Sequence, residues 1–175
     1  MSEINSDHFT RPEEIELIVL DVDGVLTDGS INLHDDGSET KRFHVRDGYG
    51  IKAWLNAGFP LAIITARAGE ALLHRCRTLG IDKQLVFQGS KNKSEALDRV
   101  LEHTGKSLAQ TAYMGDDWPD LCVLRRVALP MTVADAEPEV LEAAAFVTER
   151  KGGQGAVREA IAMILTAKGL YTPPS

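Results

Sequence analysis

Cysteine is scarce in this chain. Its 175 residues hold two, Cys76 and Cys122, and neither stands in a CxxC spacing. No disulfide framework is on offer, and a reducing compartment fits. No apolar run approaches the roughly 20 residues needed to cross a bilayer. The opening MSEINSDHFTRPEE lacks the apolar centre of a secretory signal, so the expected location is cytoplasmic. No run of Lys or Arg offsets a net charge of −7, which argues against nucleic acid or an anionic membrane as partner. Internal repeats and low-complexity linkers are also missing. The length suits one domain with a full core, and the 43% hydrophobic and 26% charged composition is ordinary for a globular chain. We expect a flexible polar segment over 1–14, a domain over 15–168, and a Pro-rich tail over 169–175 ending in YTPPS.

Short apolar runs alternate with helical patterns. The runs are ELIVLD (16–21), LAIIT (61–65), LVF (85–87), TAYMG (111–115), PMTVA (130–134) and FVT (146–148). None shows strict polar alternation, which predicts strands covered on both faces. Between them, Ile51, Trp54 and Leu55 share one helical face, and Leu72, Leu73, Cys76 and Leu79 share another. Ala96, Leu97, Val100 and Leu101 share a third, and residues 117–126, 137–145 and 155–168 complete the helical set. The alternation predicts an α/β chain with a doubly wound parallel sheet. One segment breaks the rhythm. SINLH, the turn DDGS and ETKRFHV read as a β-hairpin over about 30–45. Ligands of open α/β sheets bind at the carboxyl ends of the strands, so this hairpin is expected to project over the site as a flap.

The strand ends carry the chemistry. Asp21 closes the first run, and Asp23 lies two residues on, so an extended chain points both carboxylates the same way. Two such groups repel, and burial raises the cost. A cation relieves both effects, and an all-oxygen donor set favours Mg²⁺. A lone DxD pair also occurs as a simple helix or turn cap. Thr65, followed by Ala66 and Arg67, offers a hydroxyl and a planar fork to a phosphate or carboxylate, or equally an N-cap with a solvated Arg. QGSKNK supplies Lys91 and Lys93, either phosphoryl-binding or merely solvated. MGDDWPD supplies Asp116, Asp117 and Asp120, either ligands of a cation or acids favoured at a helix N-terminus. Jointly, four strands ending in Asp/Asp, Thr, Lys and Asp/Asp predict a metal-assisted phosphoryl-transfer site.

DVDGVLTDG, IITAR, the Lys of QGSKNK and GDDWPD resemble the four motifs of the haloacid dehalogenase superfamily of phosphohydrolases. Over about 16–168, FHVRDGYGIKAW, RCRTLGI, QGSKNK, AYMGDD, VADAEPEV and KGGQGAVREA resemble its 3-deoxy-D-manno-octulosonate 8-phosphate phosphatase branch. The resemblance implies Mg²⁺-dependent hydrolysis of that sugar acid phosphate to phosphate and the free octulosonate, in lipopolysaccharide biosynthesis. It implies Asp21 as nucleophile forming an aspartyl-phosphate, and Asp23 as general acid and base whose backbone carbonyl also meets the metal. Asp116 completes the ligands, with Asp117 and Asp120 in support. Thr65 and Lys93, rather than Lys91, hold the phosphoryl group. His44, Val45, Arg46, Asp47 and Gly48 match the substrate-contacting strip, and Arg67 and Arg75 would bind the anionic substrate.

Some positions depart from the branch. Ala66 stands for a usual Gly, Trp118 and Pro119 for an aliphatic pair, Cys122 for Pro, and His44 for Asn. These changes bear on substrate preference. Relatives acting on the nine-carbon acid KDN tend to carry Glu where Arg67 stands, which favours the octulosonate over KDN 9-phosphate. The insertions between Asp23 and Thr65 and between Thr65 and Asp116 are too short for the cap domain common in the superfamily. The resemblance therefore implies a homotetramer in which a neighbour covers the site and the tail GLYTPPS reaches across. Two other readings remain: a non-catalytic module tied to a cytidylyltransferase, which would be expected to lose some of Asp21, Asp23, Lys93 and Asp116, and a receiver-type signalling domain, against which Asp23 and the hairpin speak.

Overall fold

A computed structural model describes residues 11–171. The expected loose segment lies outside the described residues up to position 10, as do the last four residues of the tail. Pro12–Glu14 form a 3₁₀ turn, which Lys168 ties to the far end of the chain by donating from Nζ to the Glu13 carbonyl at 2.7 Å.

Six parallel strands build the main sheet: β1 (Leu17–Leu20), β4 (Leu61–Ile64), β5 (Val86–Phe87), β6 (Thr111–Met114), β7 (Leu129–Thr132) and β8 (Phe146–Val147). Their spatial order is β5-β4-β1-β6-β7-β8. The first strand is central, and the chain winds outward on either side of it, the doubly wound arrangement. Residues 18–20 of β1 pair with 61–63 of β4, and 17–20 with 111–114 of β6.

Alternate side chains of each strand enter different cores. Ile18, Leu20, Leu61, Ile63 and Met114 meet α1 (Val45–Asn56), α2 (Glu70–Leu79) and α6 (Ala156–Ala167) on one face. Leu17, Val19, Ala62, Ile64 and Tyr113 meet α3 (Lys93–Thr104), α4 (Leu121–Leu124) and α5 (Pro138–Ala143) on the other. Both faces being covered explains why these strands are apolar throughout rather than alternating. The fully buried Trp54 anchors α1, its indole N–H donating to the Pro60 carbonyl at 2.8 Å.

The hairpin is smaller than its sequence suggested. β2 (Asn32–Leu33) pairs antiparallel with β3 (Glu39–Thr40), two residues on each side. Residues 41–45 do not extend it, because α1 begins at Val45. His44 is extended and caps that helix, Nδ1 accepting from the Arg46 N–H at 3.2 Å. Asp28 ties the foot of the hairpin together. Its carboxylate accepts from Ser30 N–H at 3.1 Å and from the Arg42 guanidinium at 2.6 Å. Among the described residues, the chain between Asp23 and Thr65 adds the hairpin and α1, with no cap domain.

Candidate active site

The carboxyl edge of the sheet opens into a cleft lined by Asp21, Asp23, Thr65, Arg67, Lys93 and Asp116. It lies at the switch point between β1 and β6, where the strand order reverses. Asp21 continues β1, its N–H bonded to the Met114 carbonyl at 2.9 Å. Thr65 continues β4 through the Phe87 carbonyl at 2.9 Å. Lys93 opens α3, which Asn92 caps by accepting from Glu95 N–H at 3.2 Å. Gly24 lets the chain turn sharply after Asp23. Its φ is +89°, and a methyl group there would fall 1.9 Å from Asp116 Oδ2. The backbone thus passes directly beneath the acid of the neighbouring strand, a route closed to any residue with a side chain.

Lys93 is the charged hub. Its buried Nζ stands 3.0 Å from Asp21 and 2.6 Å from Asp120. Burial alone would lower its pKa, but the two carboxylates override that and hold it above its ordinary value. Lys91 is exposed. Asp120 is saturated: one oxygen takes Lys93 and the buried Tyr113 hydroxyl, the other the N–H groups of Asp116 and Asp117, each at 3.2 Å. Asp117 spends its carboxylate on the Trp118 N–H at 2.7 Å, as an acid at a turn's start does.

Asp116 is different. Its Oδ1 is buried and has no hydrogen-bond partner among the described residues. Burial, with Asp21 and Asp120 adding repulsion, pushes its pKa up to about 8. Burial likewise raises Asp21 to about 7, against the pull of Lys93. Ligand oxygens of Asp21, Asp116 and Asp120 all lie within 4.8 Å of one another. An unpartnered Asp116 oxygen among mutually repelling carboxylates fits a hard divalent cation such as Mg²⁺. Asp21 and Asp116 are the side chains free to hold it, since Asp120 is already committed to the lysine and the loop.

Two residues of the site escaped the sequence reading. Lys41, just past β3, binds Asp23 Oδ1 and stands 3.1 Å from Glu39. Glu39 in turn holds the guanidinium of Arg67, whose Nε is 3.9 Å from Asp23 Oδ2. The four charges join flap to cleft. The signal was present: positions 39 and 41 of a strand point to the same side, and the flap was expected to face the site.

Other expected residues lie elsewhere. His44, Asp47, Gly48 and Arg75 line a separate crevice between α1 and α2. Arg75 crosses Gly48 so closely that a methyl there would sit 2.3 Å from its guanidinium, and it donates to the His44 carbonyl at 3.3 Å. Asp47 is buried, and its carboxylate accepts the N–H groups of Gly155 and Arg158 at 3.2 and 2.9 Å. It caps α6 from a different helix, because the N-cap residue, Gly155, has no side chain to do so. Val45 and Arg46 are exposed, Arg46 facing a second basic crevice with Arg150 and Arg158.

A strand-end aspartate beside a buried lysine, a threonine and a cation-seeking acid, all at the switch point of a parallel sheet, defines a metal-assisted phosphoryl-transfer enzyme. The comparisons narrow this class. A family profile described as haloacid dehalogenase-like hydrolase matches residues 85–161. The 3-deoxy-D-manno-octulosonate 8-phosphate phosphatase of Escherichia coli K12 is 43% identical over 166 residues, covering 95% of this chain and 87% of that protein. The crystal structure of the Yersinia pestis enzyme of the same name superposes with a TM-score of 0.89 at 42% identity, covering 91% of this chain and 85% of that one. The Moraxella catarrhalis enzyme, solved with magnesium, phosphate and KDO, gives 0.87 at 37% identity, covering 91% and 90%. The chain belongs to the haloacid dehalogenase-like hydrolases, in the family of 3-deoxy-D-manno-octulosonate 8-phosphate phosphatases.

Proposed function

We propose that this chain hydrolyses 3-deoxy-D-manno-octulosonate 8-phosphate to the free octulosonate and phosphate, with Mg²⁺ as cofactor. The observation that carries the proposal is the meeting of Asp21, Lys93, Thr65 and Asp116 in one cleft, in a chain 43% identical to enzymes of that activity. A bound cation would offset the repulsion between the carboxylates and an anionic phosphate ester.

The protein's own residues divide the work as follows. Asp21 attacks phosphorus, and a bond forms to its carboxylate oxygen as the ester bond to the sugar oxygen breaks. The electron pair stays on the departing oxygen, which takes a proton from Asp23. Water then attacks the aspartyl-phosphate, Asp23 recovers a proton, and Asp21 is released with phosphate. Lys93 and Thr65 donate to phosphoryl oxygens, where burial strengthens each contact. Arg67, at the mouth of the cleft, receives the sugar's carboxylate by a planar fork.

The finer reading is a cytoplasmic homotetramer acting in lipopolysaccharide biosynthesis, in which a neighbour covers each site. Supporting it, no cap domain interrupts the described residues, and the strip from His44 to Gly48 with Arg75 lies away from the cleft of its own chain. Ile31, Leu33 and Val45 expose 52%, 69% and 78% of their surface, apolar area that a neighbour would cover. No helix among the described residues is long and apolar enough to cross a membrane.

The test is phosphate release across a panel containing octulosonate 8-phosphate, KDN 9-phosphate and neutral sugar phosphates, with sedimentation to give the assembly state. Preference for the octulosonate ester, lost on chelation, supports the proposal. Preference for KDN 9-phosphate would replace it with the sister activity, and a fully active monomer would remove the neighbour from the reading.

A further inference from the structure

Lys41 is tightly confined for a residue of the flap. Its flanking residues Thr40 and Arg42 are exposed, yet its own side chain keeps 8% of its surface. Holding a lysine this tightly costs rotamer entropy, so its contacts must return something. Those contacts are Asp23 Oδ1 on one side and Glu39 at 3.1 Å on the other. The other oxygen of Asp23, Oδ2, is buried without a hydrogen-bond partner among the described residues. The carboxyl group is therefore gripped through Oδ1, while Oδ2 makes no hydrogen bond among the described residues and has Arg67 Nε 3.9 Å away.

We propose that Lys41 is the positioning residue for Asp23, fixing the carboxyl group so that Oδ2 faces the departing oxygen of the substrate. This rests on the phosphatase reading above. Proton transfer needs donor and acceptor within about 2.6–3.2 Å, and a carboxyl group free to rotate meets that distance only part of the time. Lys41 removes the rotation, and Glu39, which also holds Arg67, keeps Lys41 in place. The proton moves from Asp23 Oδ2 to the sugar oxygen as the phosphorus–oxygen bond breaks. Lys41 gives up no proton.

The role predicts dependence on the leaving group. A sugar alkoxide needs a proton to depart, whereas nitrophenolate does not. With Mg²⁺ present, Lys41→Met is expected to slow single-turnover release of the sugar from octulosonate 8-phosphate by about 10²-fold, and to slow single-turnover release of nitrophenolate from p-nitrophenyl phosphate far less, since there only the later attack of water on the aspartyl-phosphate calls on Asp23. Lys41→Arg, which keeps the cation, should recover most of the loss. In an Asp23→Asn background, Lys41→Met should add little, because the group it positions is gone. Equal losses in the two single-turnover rates, no loss in either, or additive losses in the double variant would overturn the proposal. Thermal unfolding of each variant shows whether the fold is kept. Should the unaltered chain cleave p-nitrophenyl phosphate but not the octulosonate ester, the substrate reading fails and arabinose 5-phosphate serves as the alkyl ester for the Lys41 comparison. Should it cleave neither, the phosphatase reading and the Lys41 role fall together.

Discussion

Lys93 stands 2.6 Å from Asp120 and 3.0 Å from Asp21, so a single ammonium joins the end of β1 to the loop after β6. Asp120 also grips that loop through the N–H groups of Asp116 and Asp117. The acids of the GDDWPD stretch are thus unequal. One is held open for a cation, one starts a turn, and one positions the lysine.

The two lysines of QGSKNK should separate sharply. Lys93→Met removes the buried ammonium and is expected to cut kcat by about 10²–10³-fold, the usual effect of losing one preorganised donor to a developing charge. Lys91→Met touches an exposed side chain and should stay within about twofold of the parent. Steady-state kinetics on the same substrate compares them, and the reverse order would place the wrong lysine in the cleft.

Metal-free protein should lose stability as the pH rises. Asp21 and Asp116 keep their protons to about 7 and about 8 in the folded chain, well above an unfolded aspartate. The folded state therefore binds more protons, and stability falls between roughly pH 4 and pH 8. Added Mg²⁺ should reverse the loss at the upper end. Thermal unfolding in chelator across that range checks the slope, and Asp116→Asn should flatten it and raise the midpoint at pH 8.

Asp47 distinguishes a structural tie from a substrate contact. Asp47→Ala uncaps α6 and leaves the N–H groups of Gly155 and Arg158 unpaired. The expected cost is about 1–3 kcal/mol of stability, read by denaturant unfolding, with kcat/KM little altered in the protein that remains folded. A loss of kcat/KM with unchanged stability would make Asp47 a substrate residue.

Gly24→Ala should damage the site more than the fold. The methyl group meets Asp116 Oδ2 at 1.9 Å and the φ of +89° is strained for alanine. Mg²⁺ affinity, followed by activity against metal concentration, is expected to drop about 10–100-fold.

Much of this was legible in the chain. Apolar runs without alternation mark strands with two covered faces, and the acids that end them mark the sheet's working edge. The rest depends on distances between elements. Nothing local in ETKRFHV shows that the strand ends at Thr40 and that His44 caps a helix. Nothing near Asp47 shows that its carboxylate reaches α6 more than a hundred positions away. Lys41 was hidden differently: its charge suited a solvated hairpin, and only the approach of the chain just past β3 to Asp23 gives it a partner.

The central claim meets its most direct test in phosphate release from octulosonate 8-phosphate by the unaltered protein and by Asp21→Asn, each with Mg²⁺ and with chelator. The expected result is rapid release by the unaltered protein with metal, none with chelator, and none from a folded Asp21→Asn protein under either condition. Release that survives both chelation and the loss of Asp21 would contradict it.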